Sequence, residues 1–233
     1  MIAGSNGRMY IAQYDLSGYT NRFEPAVNRE LIDRTTFTSG GRQWHPALHD
    51  DSFGFDAFYT SDVSAILTAL GTATSPAVGS LAIGATQGSK AISGEGVWLE
   101  EYPLEASVDG LLRYTGTFRF HGACTFGQVL QTKATVSDSD ASAGIDNGAA
   151  TANGCEAFLH VFACDPADLV VKVEMADNAD FTGATDLITF TTASGATSER
   201  VTATGSVERY VRASYAATWA GGEATIAVIF ARL

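Results

Sequence analysis

Short runs of β-branched and aromatic residues recur along this chain, and clusters of Gly, Asn, Asp and Ser separate them at the spacing of loops. This pattern is typical of β-strands joined by turns. In the first half we predict strands at residues 8–16, 30–38, 52–59, 79–86, 91–106 and 112–122. In the second half we predict strands at residues 155–163, 169–175, 186–191, 200–204, 209–216 and 224–232.

One segment of the first half has helical periodicity instead. Its apolar residues recur at spacings of three, four and seven and form one stripe of Val63, Ile66, Leu67 and Leu70. Ser61 is a suitable N-cap, Asp62 suits the positive N-terminal dipole, and Gly71 stands where a C′ glycine belongs. We therefore predict a mainly β fold, a barrel or a sandwich, with one α-helix packed on it.

The pattern changes near residue 128. Residues 131–154 are rich in small and polar residues and offer little to bury, and we predict a loop at 137–148. The rest of the second half shows no convincing helix, and its strands follow one another at short intervals. These features indicate a C-terminal all-β sandwich, so we predict two domains, residues 1–128 and residues 129–233.

Composition and charge narrow the class of protein. The chain is 45% hydrophobic and 17% charged, which is enough apolar material for a core and too little charge for a disordered chain. Acidic residues number 26 and basic residues 14, for a formal net charge of −12, and both halves are acidic. A surface that grips nucleic-acid phosphates is basic, so the charge argues against that class of protein.

Three cysteines, Cys124, Cys155 and Cys164, show neither a disulfide framework nor a Cys-x-x-Cys metal motif, and we expect reduced, mostly buried thiols. No stretch contains the roughly 20 apolar residues needed to cross a bilayer. The first ten residues lack the basic and apolar regions of a secretory signal. We therefore expect no membrane association.

Two groups of residues invite a metal interpretation. His45 and His49 are four apart and precede Asp50 and Asp51, but Pro46 argues against the helix on which two such histidines would share a metal. A polar contact loop is the better interpretation. A second group, Asp138, Asp140 and Asp146, lacks the spaced Gly and Glu of a calcium loop, so a solvated loop is preferred there too.

We find no catalytic motif. There is no nucleophile elbow, phosphate loop or dinucleotide fingerprint. Glu100, Glu101 and Glu105 could suggest a glycosidase pair, but a charged outer strand face explains them better. We therefore predict a protein that is not an enzyme and has no catalytic residue, cofactor or metal site.

Aromatic residues suggest two environments. Those of even number on two adjacent strands are expected in the core: Trp98, Tyr102, Tyr114, Phe118 and Phe120. In the second domain Trp219, near Tyr210 and Tyr215, is the better candidate for stacking on a sugar.

The hairpin formed by these two strands has two alternative registers. A two-residue Asp109-Gly110 turn places Phe118 beside Glu101, whereas a three-residue loop places Phe118 beside Tyr102 and Tyr114 beside Ala106. Because a slip of one residue moves every side chain to the other face, burial favours the second register. That register also pairs Arg119 with Glu101.

The first half carries a recognisable succession of motifs. Asp15-Leu16-Ser17-Gly18-Tyr19 is followed by a strand ending in Thr35-Thr36-Phe37, a loop from Trp44 to Asp50, and the strand Phe53-Gly54-Phe55-Asp56. This order resembles the tail tube (major tail) proteins of bacteriophages with long non-contractile tails, in which DLSGY, TTF, PGL-D and GF-D elements follow one another. Ala47 stands where that family often has Gly. Residues 129–233 resemble the accessory β-sandwich domains of phage tail proteins.

The resemblance implies a structural protein of the virion tail, assembled in the host cytoplasm. Its first domain would form hexameric rings that stack into a tube through which genomic DNA passes without specific binding, and other tail proteins would be its partners. The long loop at 38–51 would contact a neighbouring subunit or ring through Arg42, Trp44, His45, His49, Asp50 and Asp51. The second domain would lie on the tube exterior. The alternative is a carbohydrate- or receptor-binding β-sandwich protein of the virion surface.

Overall fold

A computed structural model of the chain describes residues 6–36, 38–75, 77–106 and 110–233. Its first part contains β1 (Arg8–Ile11), β2 (Tyr14–Asp15), β3 (Thr20–Ala26), β4 (Arg29–Asp33), β5 (Trp44–His49), β6 (Ser52–Phe58), α1 (Ser61–Gly71), β7 (Ala77–Ala82), β8 (Lys90–Glu101), β9 (Leu104–Ala106) and β10 (Leu112–Arg119). It continues with β11 (Thr125–Val136), β12 (Asp140–Ala141), β13 (Ile145–Asp146), β14 (Cys155–Cys164), β15 (Val170–Ala176), β16 (Thr185–Thr189), β17 (Thr197–Ala203), β18 (Tyr210–Ala216) and β19 (Ala224–Arg232).

The prediction of a mainly β fold with one packed helix is confirmed. The sheets are antiparallel, and in the described residues their strand orders are open, so the chain adopts the sandwich alternative and not the barrel. Within the described residues no helix is both long and apolar enough to cross a membrane. By its internal contacts the chain forms two units, which we name by their content.

The sandwich unit comprises the described residues of 1–18, 77–93 and 125–233. Its larger sheet has the order β17-β14-β19-β11-β8-β7-β1-β2, and its smaller sheet contains β12 and β13 beside β18, then β15 and β16. The inner faces of both sheets meet in one core, to which β14 contributes Leu159 and β18 contributes Val211. The predicted C-terminal β-sandwich is therefore present.

The helix unit comprises the described residues of 19–76 and 94–124. In it β3, β6 and β10 are adjacent, and β10 also pairs with β9 and with the second part of β8. The helix α1 buries Val63, Leu67 and Leu70. The hydroxyl of Tyr114 lies 3.1 Å from Ser64 Oγ, which joins β10 to the helix.

The two units do not coincide with the predicted domains 1–128 and 129–233. Residue 128 lies inside β11, which pairs with β8 at one end and with β19 along most of its length. A second core of the sandwich unit combines residues from both sides of that position: Tyr10, Val78, Ala82, Ala91, Val129, Phe158, Ala227 and Ile229. The sequence prediction missed β11 because small and polar residues alternate with its apolar ones.

The N-cap of the helix lies one residue earlier than predicted. Thr60, and not Ser61, is the N-cap, because its backbone is extended and its Oγ1 accepts the N–H of Val63 at 3.2 Å. Gly71 is the last helical residue, and Thr72 is the C-cap. The predicted apolar stripe is otherwise correct, with Ile66 only partly buried.

The predicted register of the β8–β10 hairpin is wrong. Tyr114 lies opposite Leu104 and Thr117 opposite Glu101, but Phe118 then lies opposite Leu99. The skipped residue, Glu100, marks a β-bulge that neither of the two regular registers allows for. The turn residues 107–109 lie outside the described residues.

The bulge changes which side chains share a face. Tyr114, Phe118 and Phe120 are buried as predicted, but Trp98 lies opposite Arg119 on the outer face and is 40% exposed. Tyr102 is half-buried. Arg119 binds Glu100 and Asp50 instead of Glu101.

Candidate functional site

The strands β4 and β5 form a two-stranded hairpin that pairs with no other strand in the described residues. Leu31 lies opposite Pro46, Ile32 opposite His45, and Asp33 opposite Trp44. The predicted loop 38–51 therefore contains a strand, and the prediction of an unstructured loop was wrong for residues 44–49. The hairpin leaves the sheet between the end of β3 and the start of β6.

Both faces of this hairpin are open to solvent. Leu31 is 55% exposed, Ile32 48%, Trp44 50% and Leu48 80%. An isolated two-stranded hairpin is marginally stable in water, and clustered exposed apolar side chains mark interaction surfaces. The sequence analysis singled out Trp44 but missed Leu31, Ile32 and Leu48, because an apolar strand is normally assigned to the core.

In the connection between the two strands, described for residues 34–36 and 38–43, polar side chains bind backbone N–H groups. The Asp33 carboxylate accepts the N–H of Thr35 at 2.8 Å, which ends β4 well before the predicted residue 38. The hydroxyl of Thr35 accepts the N–H of Gln43 at 2.9 Å, and Ser39 Oγ accepts the N–H of Thr36 at 3.0 Å. These bonds satisfy the N–H groups of Thr35, Thr36 and Gln43 close to the strand ends.

Asp51 fixes the base of the hairpin. Its carboxylate accepts the N–H groups of Asn28 and Cys124, both at 2.8 Å, and its carbonyl accepts the N–H of Phe120 at 3.0 Å. Burial alone would raise the pKa of this carboxyl, but the two N–H donors outweigh it and the pKa is lowered. Asp51 is 1% exposed, so its predicted role as a contact residue is wrong.

The other predicted contact residues lie on or beside the hairpin and are at least partly open to solvent. The guanidinium of Arg42 lies 5.9 Å from the Trp44 ring centroid, near the tip. Asp50 forms an exposed ion pair with Arg119 at 2.7 Å. His49 Nδ1 lies 3.5 Å from an Asp51 oxygen without hydrogen-bond geometry.

The residues considered as metal ligands in the sequence analysis do not come together in the structure. Four residues of extended strand place His45 and His49 about 13 Å apart. The Asp146 carboxylate binds Arg209 at 2.6 and 2.7 Å, and these bonds lower its pKa to about 2. Within the described residues no cluster of three or more His, Cys, Asp and Glu could hold a metal ion.

The three aromatic residues considered for sugar binding do not form one platform. Tyr210 and Tyr215 are five residues apart on β18, so their side chains leave opposite faces of the strand. Tyr215 and Trp219 pack against the sandwich core, and the indole N–H of Trp219 donates to Ser139 Oγ at 3.1 Å. The guanidinium of Arg209 lies over the ring of Tyr210, 5.0 Å from the ring centroid.

Comparison with known proteins identifies no family. No protein-family model and no curated protein sequence matches the chain. Among solved structures the chain is similar to the Dit protein of phage SPP1, described as a paradigm of the hub adsorption apparatus in phages that infect Gram-positive bacteria. The two share 13% sequence identity over 97% of this chain and 98% of that chain, with a TM-score of 0.41.

Proposed function

We propose that this chain is a structural protein of a phage tail whose copies assemble into stacked hexameric rings that form the tail tube. The observation that carries the proposal is the β4–β5 hairpin. It exposes Leu31, Ile32, Trp44 and Leu48 and pairs with no other strand of the described residues. A monomeric protein gains nothing from such an element, whereas a subunit of an assembly gains a contact surface.

The position of the hairpin agrees with the sequence resemblance. Its strands lie between the Asp15–Tyr19 motif and the Phe53–Asp56 motif, where the resemblance to tail tube proteins implies a segment that reaches a neighbouring subunit. Trp and Arg are the residues that most often dominate interface energy, and here Arg42 stacks on Trp44 at the exposed tip.

The charge of the chain suits a tube that DNA traverses. A net charge of −12 gives a wall that repels phosphates and does not retain the passing duplex. In this proposal the protein is not an enzyme, and its partners are further copies of itself and other tail proteins. Residues 129–233, which supply most of the sandwich unit, face the tube exterior, because a lumen that passes duplex DNA has no room for them.

Purification followed by negative-stain electron microscopy tests the proposal. We expect tubes or stacked rings of constant width from the wild-type protein at high concentration. The variant Trp44→Ala should remain folded and should form few or no tubes. A wild-type protein that stays monomeric under all tested conditions would contradict the proposed function.

A further inference from the structure

A series of buried hydrogen bonds in the sandwich unit ends at the turn between β1 and β2, and we call it the His160 network. His160 of β14 is at its centre, with Nε2 2.9 Å from Ser80 Oγ and Nδ1 2.8 Å from the carbonyl oxygen of Ala12. The hydroxyl of Ser93 donates to Ser80 Oγ at 2.8 Å. His160, Ser80 and Ser93 are at most 1% exposed. These three side chains are therefore satisfied by one another and by one backbone carbonyl.

The partners fix the direction of every bond in the network. A carbonyl oxygen only accepts, so Nδ1 of His160 carries a hydrogen and Nε2 of the neutral ring does not. The hydroxyl of Ser80 therefore donates to Nε2, and its oxygen accepts the hydrogen of Ser93. In this arrangement every hydrogen has an acceptor, and the ring is held as its Nδ1–H tautomer.

A proton added to the ring disrupts the network. The new Nε2–H points at Ser80 Oγ, so the hydroxyl hydrogen of Ser80 has to turn away. Ser93 Oγ can accept it, but the hydrogen of Ser93 then lacks an acceptor, since among the described residues both hydroxyls bond only within the network. A buried charge and a buried hydrogen without an acceptor are both unfavourable.

The titratable groups around the ring do not compensate for a positive charge. On β1 the Tyr10 ring lies 5.6 Å from that of His160, and burial raises the pKa of its phenol to about 12, so it stays neutral. The strand β7 has no titratable residue, and β8 contributes the hydroxyl of Ser93. The carboxylates of the neighbouring segments are already paired with cations at 2.6–2.7 Å: Asp15 with Lys133, and Glu156 with Arg200.

The turn between β1 and β2 is the element beside the ring that is least firmly held. His160 lies within β14, which pairs with β17 on one side and with β19 on the other. In contrast, β2 has two residues and pairs only with β1 among the described residues. Ala12 in the turn has a φ of +52°, a left-handed conformation that is costly for a residue with a Cβ. Its N–H donates to the carbonyl of Val78 at 2.8 Å.

We propose that the β1–β2 turn is a latch, which stays closed on His160 while the ring is neutral and opens when the ring takes up a proton. Opening lets water solvate the charged ring and accept the displaced serine hydrogen, while β14 keeps its pairing with β17 and β19. The latch goes beyond the proposed function and does not depend on it. The chain leaves the sandwich unit after residue 18, so the latch lies next to the first passage of the chain from one unit to the other.

Nitrogen-15 nuclear magnetic resonance of the wild-type protein tests the His160 network. At pH 7 we expect the ring nitrogens of His160 to show the neutral Nδ1–H tautomer, because Nδ1 faces the Ala12 carbonyl. A charged ring, or the Nε2–H tautomer, would contradict the network and with it the latch.

Hydrogen exchange of the Ala12 amide tests the opening of the turn. Its protection factor, corrected for the intrinsic pH dependence of exchange, should fall about 70-fold from pH 7.5 to pH 4.5, because the pKa of the ring is about 4 when the turn is closed and about 6.5 when the ring is exposed. Low concentrations of urea should leave the exchange of Ala12 unchanged and accelerate that of the β14 amides, because only the latter need global unfolding.

Two variants show whether the ring causes this change. His160→Gln removes the titrating group and should keep the Ala12 protection factor nearly constant between pH 7.5 and pH 4.5. The control, His121→Gln, changes an exposed histidine and should show the wild-type decrease. Ala12→Gly serves if His160→Gln does not fold. Glycine adopts the left-handed conformation without strain, so this turn should open several-fold less often at every pH.

Three results would overturn the latch: an Ala12 protection factor that is independent of pH in the wild type, one that falls equally in His160→Gln, and one that depends on urea as strongly as the β14 amides do. Faster opening of the turn in Ala12→Gly would also contradict it. None of these measurements depends on whether the protein forms tubes, so the latch and the tail-tube function succeed or fail separately.

Discussion

At the residue scale, two adjacent carboxylates have different environments that the sequence does not distinguish. Asp50 and Asp51 look alike in the sequence, and both were predicted to contact a neighbouring subunit. In the structure Asp50 is exposed beside Arg119, whereas Asp51 is buried and accepts two backbone N–H groups. Both lie in the two-residue link between β5 and β6, and their partners are far away in sequence, so no local pattern could have distinguished their roles.

Substituting these two residues separates their contributions. Asp51→Ala leaves the N–H groups of Asn28 and Cys124 buried without acceptors, which we expect to lower the free energy of unfolding by about 3 kcal/mol. Asp50→Ala removes only an exposed ion pair and should cost at most about 1 kcal/mol. Urea denaturation followed by circular dichroism measures both, and equal effects would contradict the assignment.

His160 is the second residue that the sequence did not mark. It is fully buried on β14, with Nδ1 2.8 Å from the Ala12 carbonyl and Nε2 2.9 Å from Ser80 Oγ. Burial lowers its pKa to about 4. Tyr10 and Asp15 are the nearby titratable groups.

This pKa predicts a pH dependence of stability. In the unfolded chain His160 takes up a proton near pH 6.5, and in the folded chain only near pH 4. The unfolded state therefore binds more protons in that window, and stability falls by about 3 kcal/mol as the pH drops through it. Carboxyls with lowered pKa, such as Asp15 and Asp51, add their own loss at still lower pH.

The variant His160→Gln should flatten the stability profile between pH 6.5 and 4, while His121→Gln, at an exposed position, should keep the wild-type slope. Urea midpoints across this range measure both. Histidine resonances in nuclear magnetic resonance provide a check that needs no variant, and a ring of His160 that titrates near pH 6.5 would contradict this account.

At the element scale, the helix and the regular strands were predictable because their signals are local. The stripe of Val63, Leu67 and Leu70 sets the helix face, and the apolar run of β14 reflects a strand buried on both sides. The features that the sequence analysis failed to predict are set by strand pairing. The bulge at Glu100, the strand β5 and the strand β11 are all determined by partner strands that the local sequence does not reveal.

The helix N-terminus gives an element-scale prediction. Thr60→Ala removes the oxygen that accepts the N–H of Val63 and should lower the free energy of unfolding by about 1 kcal/mol. Ser61→Ala, one position further, should change it by less than about 0.5 kcal/mol. Chemical denaturation of the two variants checks this prediction. A larger decrease in the free energy of unfolding for Ser61→Ala than for Thr60→Ala would support Ser61 as the N-cap, as predicted from the sequence.

At the scale of the whole molecule, the fold class was predictable from composition and patterning, but the division of the chain was not. A single change in composition near residue 128 suggested two consecutive domains, whereas β1, β7 and the first part of β8 belong with residues 125–233. Strand pairs such as β11 with β8 and β11 with β19 join segments separated by long stretches of chain. Only these long-range ladders define the units.

A truncated chain tests that division. Ending the chain after Thr132 removes β14 and β19, and with them Phe158, Ala227 and Ile229, which pack against Tyr10 and Val78. We expect the truncated protein to be insoluble or to lose protection of residues 8–11 and 77–82 in hydrogen exchange. A soluble fragment with these amides still protected would show that residues 1–132 fold alone.

The most direct test of the central claim is an electron cryo-microscopy reconstruction of the assembled wild-type protein. The account predicts a hollow tube of stacked six-fold rings in which Trp44 of each copy is buried against a neighbouring copy. Particles that are monomers, two-fold dimers joined hairpin to hairpin, or tubes in which Trp44 remains exposed to solvent would contradict it.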